Sequence, residues 1–103
     1  MAYNFIIQEE AISRTREAFD WYEEQKSGLG YEFIKEVENC FEKIQNNPDH
    51  FSYLSNYYRR IKLNRFPYLI IYELEWKEIT VTKSGTRNRN PSFKSDYEIR
   101  NSP

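Results

Sequence analysis

Residues 58–83 read YRRIKLNRFPYLIIYELEWKEITVTK, and the pattern of this segment is the strongest indication of the fold. Three segments within it, 58–63, 68–74 and 78–83, are rich in β-branched and aromatic residues and are separated by short polar turns. In the first and third segments apolar residues alternate with polar ones, as in strands with one buried face. The middle segment is apolar on both faces over 68–72, so it should be the central strand. We therefore predict an antiparallel three-stranded meander over 58–83.

The N-terminal half predicts one further strand and two helices. Residues 1–7 alternate loosely and carry aromatic and β-branched side chains, which favours a strand. Over 8–47 apolar residues recur at steps of three and four, in two stripes separated by the glycines of 28–30, which predicts a helical hairpin. The first stripe is Ala11, Ile12, Thr15, Ala18, Phe19 and Tyr22, and the second is Phe33, Val37, Cys40, Phe41 and Ile44. The predicted fold is α+β with the order β-α-α-β-β-β, an antiparallel sheet with the αα-hairpin packed on one face.

Length and composition bound the architecture. The chain has 103 residues and a net charge of −1, which suits one small domain over 1–103, with residues 84–103 as a polar tail. No apolar run approaches the ~20 residues that cross a bilayer. The N-terminus lacks the basic and apolar regions of a signal peptide, and a single cysteine makes no intramolecular disulfide. We therefore expect a cytoplasmic protein that contacts no membrane.

The sequence lacks the motifs of most enzyme classes. The sequence has no glycine-rich phosphate loop, no paired cysteines or histidines, and no strand–nucleophile–helix motif. His50 lies in an aromatic loop, where a surface or packing role is favoured, and Cys40 lies on the core stripe of the second helix, which favours a buried thiol. The adjacent glutamates at 9–10 and 23–24 do not share a helix face, so they predict a solvated surface rather than a carboxylate dyad. We expect neither a metal nor a cofactor.

The positive charge is concentrated in the C-terminal half. Residues 1–58 carry five basic and eleven acidic side chains, whereas 59–103 carry ten basic and five acidic ones. Side chains at alternate strand positions share a face, so the cations at 60 and 62 should project together, away from the helices and toward the same side as Thr80 and Thr82. The candidate site residues are the cations Arg60, Lys62, Arg87 and Arg89. A groove in which they converge suits phosphate binding or charge stabilisation in phosphoryl transfer. The alternative is that they are solvated or paired with nearby acids.

Several stretches, taken in chain order, follow one known pattern. They are DWYEEQ at 20–25, GLGYEF at 28–33, NP at 47–48, RRIKL at 59–63, RFPYLIIY at 65–72 and RNRNP at 87–91. Together they resemble the RelE/ParE toxin superfamily, the toxin half of type II toxin–antitoxin (plasmid stabilisation) modules of bacteria. The resemblance implies a growth-inhibiting toxin that a cognate antitoxin neutralises in a hetero-oligomeric complex.

The superfamily contains two activities. RelE-like members cut mRNA on the ribosome, where basic residues hold the phosphate while the RNA 2′-OH attacks it, often with a tyrosine near the C-terminus. ParE-like members poison DNA gyrase and need no catalytic residue. The residues that match the cationic RelE positions are Arg60, Lys62, Arg87 and Arg89. Where RelE has a further arginine this chain has Leu69, and at the late tyrosine position it has Phe93, with Tyr97 four residues on as the substitute candidate.

These departures favour one activity over the other. Phenylalanine has no hydroxyl to donate or accept a proton. The resemblance therefore favours a gyrase-directed toxin over a ribosome-dependent mRNA endoribonuclease. A third hypothesis is a non-toxic member that keeps the fold and only binds a partner.

Overall fold

The computed structural model describes residues 3–55 and 57–86. The elements are β1 (Asn4–Ile7), α1 (Glu9–Gln25), α2 (Leu29–Asn46), β2 (Tyr58–Lys62), β3 (Tyr68–Glu75) and β4 (Glu78–Thr86). The strands lie in the order β1-β4-β3-β2. Strands β2, β3 and β4 are antiparallel neighbours, as predicted.

Two details differ from the predicted sheet, although the α+β fold and its element order are confirmed. β1 pairs with β4 in parallel, so the sheet is mixed rather than wholly antiparallel. β4 continues to Thr86, three residues into the stretch predicted as a polar tail. The cause is the length of β3, because β3 begins at Tyr68 and the register partner of Tyr68 is Thr86.

The core lies between the helical hairpin and one face of the sheet. Its centre is Phe33, which is fully buried on α2. The ring of Phe33 lies 5.1 Å from that of Tyr22, 5.4 Å from that of Phe66 and 4.8 Å from that of Tyr68, measured between centroids. The sheet contributes the buried side chains Ile61, Leu63, Ile70, Tyr72, Ile79 and Val81. Both helices therefore cover the same face of the sheet. Neither helix of the described part of the chain is long and apolar enough to cross a membrane.

The buried face of α1 is rotated relative to the predicted stripe. Ile12 is 42% exposed, whereas Arg14 is only 6% exposed. The reason is a polar patch on the sheet beneath α1: the hydroxyls of Tyr68 and Ser84 lie 2.6 Å apart, and each lies 3.3 Å from the Thr15 hydroxyl. A helix that meets hydroxyl groups packs a polar edge against them, because buried polar groups need hydrogen-bond partners.

The junction between the helices explains the glycines at 28–30. Gly28 has a φ of 89°, a left-handed conformation that glycine adopts without steric cost. A Cβ on Gly30 would lie 2.8 Å from the Phe19 carbonyl oxygen, so only glycine permits this approach of α2 to α1. The Glu23 carboxylate accepts hydrogen bonds from the amides of Gly28 and Gly30 at 2.8 and 2.9 Å. Glu23, predicted to be a solvated surface residue, thus caps the N-terminus of α2.

Replacing Glu23 with alanine should lower the free energy of unfolding by about 1–3 kcal/mol, because two amides at the start of α2 lose their charged acceptor. Chemical denaturation followed by circular dichroism measures this loss. Glu24→Ala is the matched control, since it removes the neighbouring, exposed glutamate from the same helix. Equal losses for the two variants would contradict the capping role.

Candidate functional site

The sheet has a second face, opposite the helices, which we call the open face. Its residues follow from the strand register and form three rows across the sheet. The rows are Lys62–Leu69–Gly85, Arg60–Ile71–Lys83 and Tyr58–Glu73–Thr80–Ile6. Directly opposite side chains in such rows are ~5 Å apart at Cβ, so each row forms a continuous strip of surface.

The open face has cationic margins and an apolar centre. Arg60 and Lys62 are exposed on β2, as predicted. Next to them on β3 lie Leu69 and Ile71, which are only half-buried although no helix among the described residues covers this face. The position where the resemblance expects a further arginine is therefore an apolar one at the centre of the face.

A β-bulge brings in a cation that strict alternation misses. The register between β3 and β4 shifts at Ile71/Tyr72, so that Ile71 pairs with Lys83 while Tyr72 pairs with Val81. Counting by twos from Ile79 would turn Lys83 toward the helices, but the extra residue at Thr82 moves it to the open face. The Thr82 hydroxyl donates a hydrogen bond to the Ile71 carbonyl at 3.3 Å. Lys83 thus joins Arg60 on the middle row.

Two other basic residues of this region are engaged elsewhere. The Arg59 guanidinium donates to the carbonyls of Asp49 and Phe51, at 3.2 and 2.7 Å, and lies 4.0 Å above the Tyr53 ring. Arg65 forms a 2.6 Å ion pair with Glu32, which lowers the pKa of that carboxyl. Within residues 3–55 and 57–86, by contrast, Arg60 and Lys62 form no ion pair.

Lys62 also borders a polar cavity at the outer edge of β2. The cavity has a volume of about 220 Å³, and α2 contributes Glu36, Glu42 and Lys43 to its lining. Lys62 therefore lies where the open face meets the acidic surface of the helical hairpin.

The remaining predicted site residues divide into two groups. Arg87, Arg89 and Tyr97, together with Phe93, lie outside the described residues, so only two of the four predicted cations are placed, and both are on the open face. His50 is exposed and packs edge-to-face on Phe51, with centroids 4.9 Å apart. No group of side chains in the described ranges could hold a metal ion.

The loop that leads into β2 is ordered by buried contacts. The Tyr72 hydroxyl donates to the Pro48 carbonyl beneath the loop. Within the loop, Tyr53 pairs with Arg59 in an isolated antiparallel bridge, so the loop is locally strand-like. On α2, burial raises the pKa of the Cys40 thiol, an effect that Lys43 partly offsets. The thiol is therefore protonated and unreactive at neutral pH.

A separate apolar groove runs along the helical side of the molecule. It has a volume of about 370 Å³ and lies between β1 and the two helices. Its lining residues are Ile7, Ile12, Thr15, Arg16, Phe19, Ile34 and Phe41. Ile12, which the sequence assigns to the core, lines this groove instead. An exposed groove that is mostly apolar is typical of protein-binding surfaces.

Most of the chain matches one protein family in sequence. Residues 5–91 match the family described as "ParE toxin of type II toxin-antitoxin system, parDE". The chain belongs to the ParE toxin family. No curated protein matches the chain significantly in sequence.

Solved structures share the fold of this ParE family member. The chromosomal ParDE system of P. aeruginosa is similar with a TM-score of 0.72 and 13% identity, over 84% of this chain and 98% of that one. The isolated E. coli RelE toxin gives a TM-score of 0.61 and 14% identity, over 96% and 99% of the two chains. The intact E. coli RelBE toxin–antitoxin complex gives 0.52 and 19%, over 85% and 100%. These likenesses confirm the predicted fold, and the family match over residues 5–91 confirms the predicted superfamily.

Proposed function

We propose that this ParE-family protein is a single-domain cytoplasmic toxin that inhibits DNA gyrase by binding it, without catalysing a reaction. The observation that carries the proposal is the apolar centre of the open face. Leu69 and Ile71 occupy positions between the cations of β2 and Lys83 of β4. An apolar centre with a charged rim is the usual arrangement of a protein–protein interface.

The same surface is poorly suited to phosphoryl transfer. Stabilising a phosphorane-like charge needs donors that converge on one point. Arg60 and Lys62 stand on one margin of the face, and Leu69 and Ile71 separate them from β4. In our proposal Arg60 and Lys62 contact acidic groups of the partner, and Arg87 and Arg89 remain predicted members of the same cationic set.

The proposal includes neutralisation by a cognate antitoxin. Two of the similar structures are named as toxin–antitoxin systems, ParDE and RelBE. In this chain the apolar groove between β1 and the helices, of about 370 Å³, has room for apolar side chains of an antitoxin segment. Co-expression of the neighbouring gene product should then restore the growth of cells that express the toxin.

Replacing Arg60 with alanine should weaken gyrase inhibition about threefold and reduce its dependence on salt concentration, because an exposed charge at the rim of an interface is lost. The measurement is a supercoiling assay with purified gyrase over a range of toxin concentrations. Lys35→Ala is the matched control: it removes an exposed positive charge from α2, away from the open face, and should leave inhibition unchanged. Wild-type protein that leaves supercoiling unaffected would overturn the proposal.

The second candidate is ribosome-dependent mRNA cleavage. One observation favours it: Arg60 and Lys62 are exposed together and form no ion pair among residues 3–55 and 57–86, so they are available to a phosphate backbone. A cleavage assay on translating ribosomes separates the two functions. Codon-dependent cleavage that is lost in Arg60→Ala would establish the nuclease and replace the gyrase proposal.

A further inference from the structure

The turn between β3 and β4 carries an aromatic residue in an unfavourable conformation. Trp76 has a φ of 58° and is 87% exposed. A left-handed backbone is a genuine outlier for a bulky residue, and glycine or asparagine is usual at such a turn position. A large apolar ring that stays in water contributes nothing to the core. The backbone of Trp76 therefore costs stability, and burial of its ring returns nothing in the folded chain.

The charges of the same turn are also unfavourable for folding. Glu75 and Glu78 are directly opposite each other in the register that closes the hairpin, and both are exposed. Like charges at directly opposite positions destabilise a strand pair. Neither carboxylate forms an ion pair within the described ranges. The four residues 75–78, which we call the hairpin tip, thus combine strain, exposure and repulsion.

The hairpin tip is nevertheless held firmly in place. The amide of Asn4 donates to the Lys77 carbonyl at 2.9 Å, which ties the turn to β1. Behind the turn, Leu74 pairs with the fully buried Ile79. The indole is therefore presented from a rigid base, and little ordering entropy is lost when a partner encloses it.

Local features that oppose folding and persist together are characteristic of functional sites. We propose that the hairpin tip docks into an apolar pocket of the toxin's protein target, with Trp76 as the anchor and basic residues around the pocket to meet Glu75 and Glu78. This inference rests on the proposed function, since the target to which it commits is DNA gyrase.

The position of the hairpin tip fits a single interface with the open face. Ile71, which lies beside Arg60, is four residues from Glu75 along β3, a separation of ~14 Å at strand spacing. One partner surface can therefore contact both the cationic rim and the acidic tip. It would need acidic groups opposite Arg60 and basic groups opposite Glu75, a pattern that fixes the orientation of binding.

Two substitutions at one position separate strain from recognition. Trp76→Ala removes the indole and keeps a Cβ in the left-handed conformation, whereas Trp76→Gly removes both. Each should raise the toxin concentration that half-inhibits gyrase by about 30-fold, the usual effect of losing a buried anchor. The glycine variant should in addition unfold at a temperature about 4 °C or more above that of the alanine variant, because only glycine relieves the backbone. Tyr31→Ala, which truncates an aromatic residue that is 67% exposed on α2, is the control that should leave inhibition unchanged.

The charges are tested by the double substitution Glu75→Gln and Glu78→Gln. It should weaken inhibition and reduce its dependence on salt concentration, and a gain in inhibition would overturn the basic rim of the pocket. If Trp76→Ala inhibits gyrase as well as the wild type does, Trp76 is not an anchor, although the proposed function would stand. Wild-type protein without any effect on gyrase would remove the proposed function and, with it, the commitment of the hairpin tip to this target.

Discussion

Replacing Phe33 with alanine should lower the free energy of unfolding by about 3–5 kcal/mol, a large fraction of the stability of a small domain. Phe33 is fully buried and its ring contacts three other aromatic rings, from α1, the β2–β3 connection and β3. Truncation removes the contacts of one side chain and leaves a cavity that rings from three different elements cannot fill together. Urea denaturation followed by far-ultraviolet circular dichroism measures the loss.

The control for this prediction is on the same helix. Tyr31→Ala truncates an exposed ring whose contact is an edge-to-face pair with Phe19, at 5.0 Å between centroids, so it should cost about 1 kcal/mol. If Phe33→Ala does not fold, Phe33→Leu gives a smaller loss that is still measurable. A loss below 2 kcal/mol for Phe33→Ala would show that the helices collapse onto the gap, contrary to the role given to Phe33.

Raising the pH from 10 to 12 should destabilise the protein, by about 2 kcal/mol through Tyr72 alone. Burial raises the pKa of Tyr72 to about 12, an effect that Asp49 reinforces and Arg59 opposes. The unfolded chain releases this proton near pH 10, whereas the folded chain keeps it. The contribution is therefore fully present below pH 10 and is lost as the pH rises toward 12. Burial also raises the pKa of Tyr22 and of Tyr68, which acts in the same direction.

The measurement is the free energy of unfolding at several pH values from 8 to 12, for the wild type and Tyr72→Phe. The variant should be less stable at pH 8 by about 1–3 kcal/mol, because the buried Pro48 carbonyl loses its donor. Its stability should then fall less steeply with pH. Tyr57→Phe, at a position that is 72% exposed, should retain the slope of the wild type. Parallel pH profiles for the wild type and Tyr72→Phe would contradict the assignment.

Local sequence patterns were sufficient to predict an element, and the side on which a residue lies, where both depend only on residues close by in the chain. The change from period two to period three or four places β1, both helices and the meander, and the alternation of β2 places Arg60 and Lys62 opposite Ile61. These patterns work because the strand and helix repeats alone assign each side chain to a face. They failed for Ile12 and Lys83, where a neighbouring element changed the outcome.

The sequence alone was enough to predict the fold class, the family resemblance and the concentration of cations in the C-terminal half. The tertiary structure alone decided which cations are available: Arg65 is paired with Glu32, 33 residues away, and Arg59 is committed to the carbonyls of the preceding loop. It also revealed the bulge that brings Lys83 to the open face and the left-handed conformation of Trp76. The helix and strand repeats along the chain set the face of an element on which each side chain lies. Ion pairing, bulges and backbone strain depend instead on groups that only folding brings together.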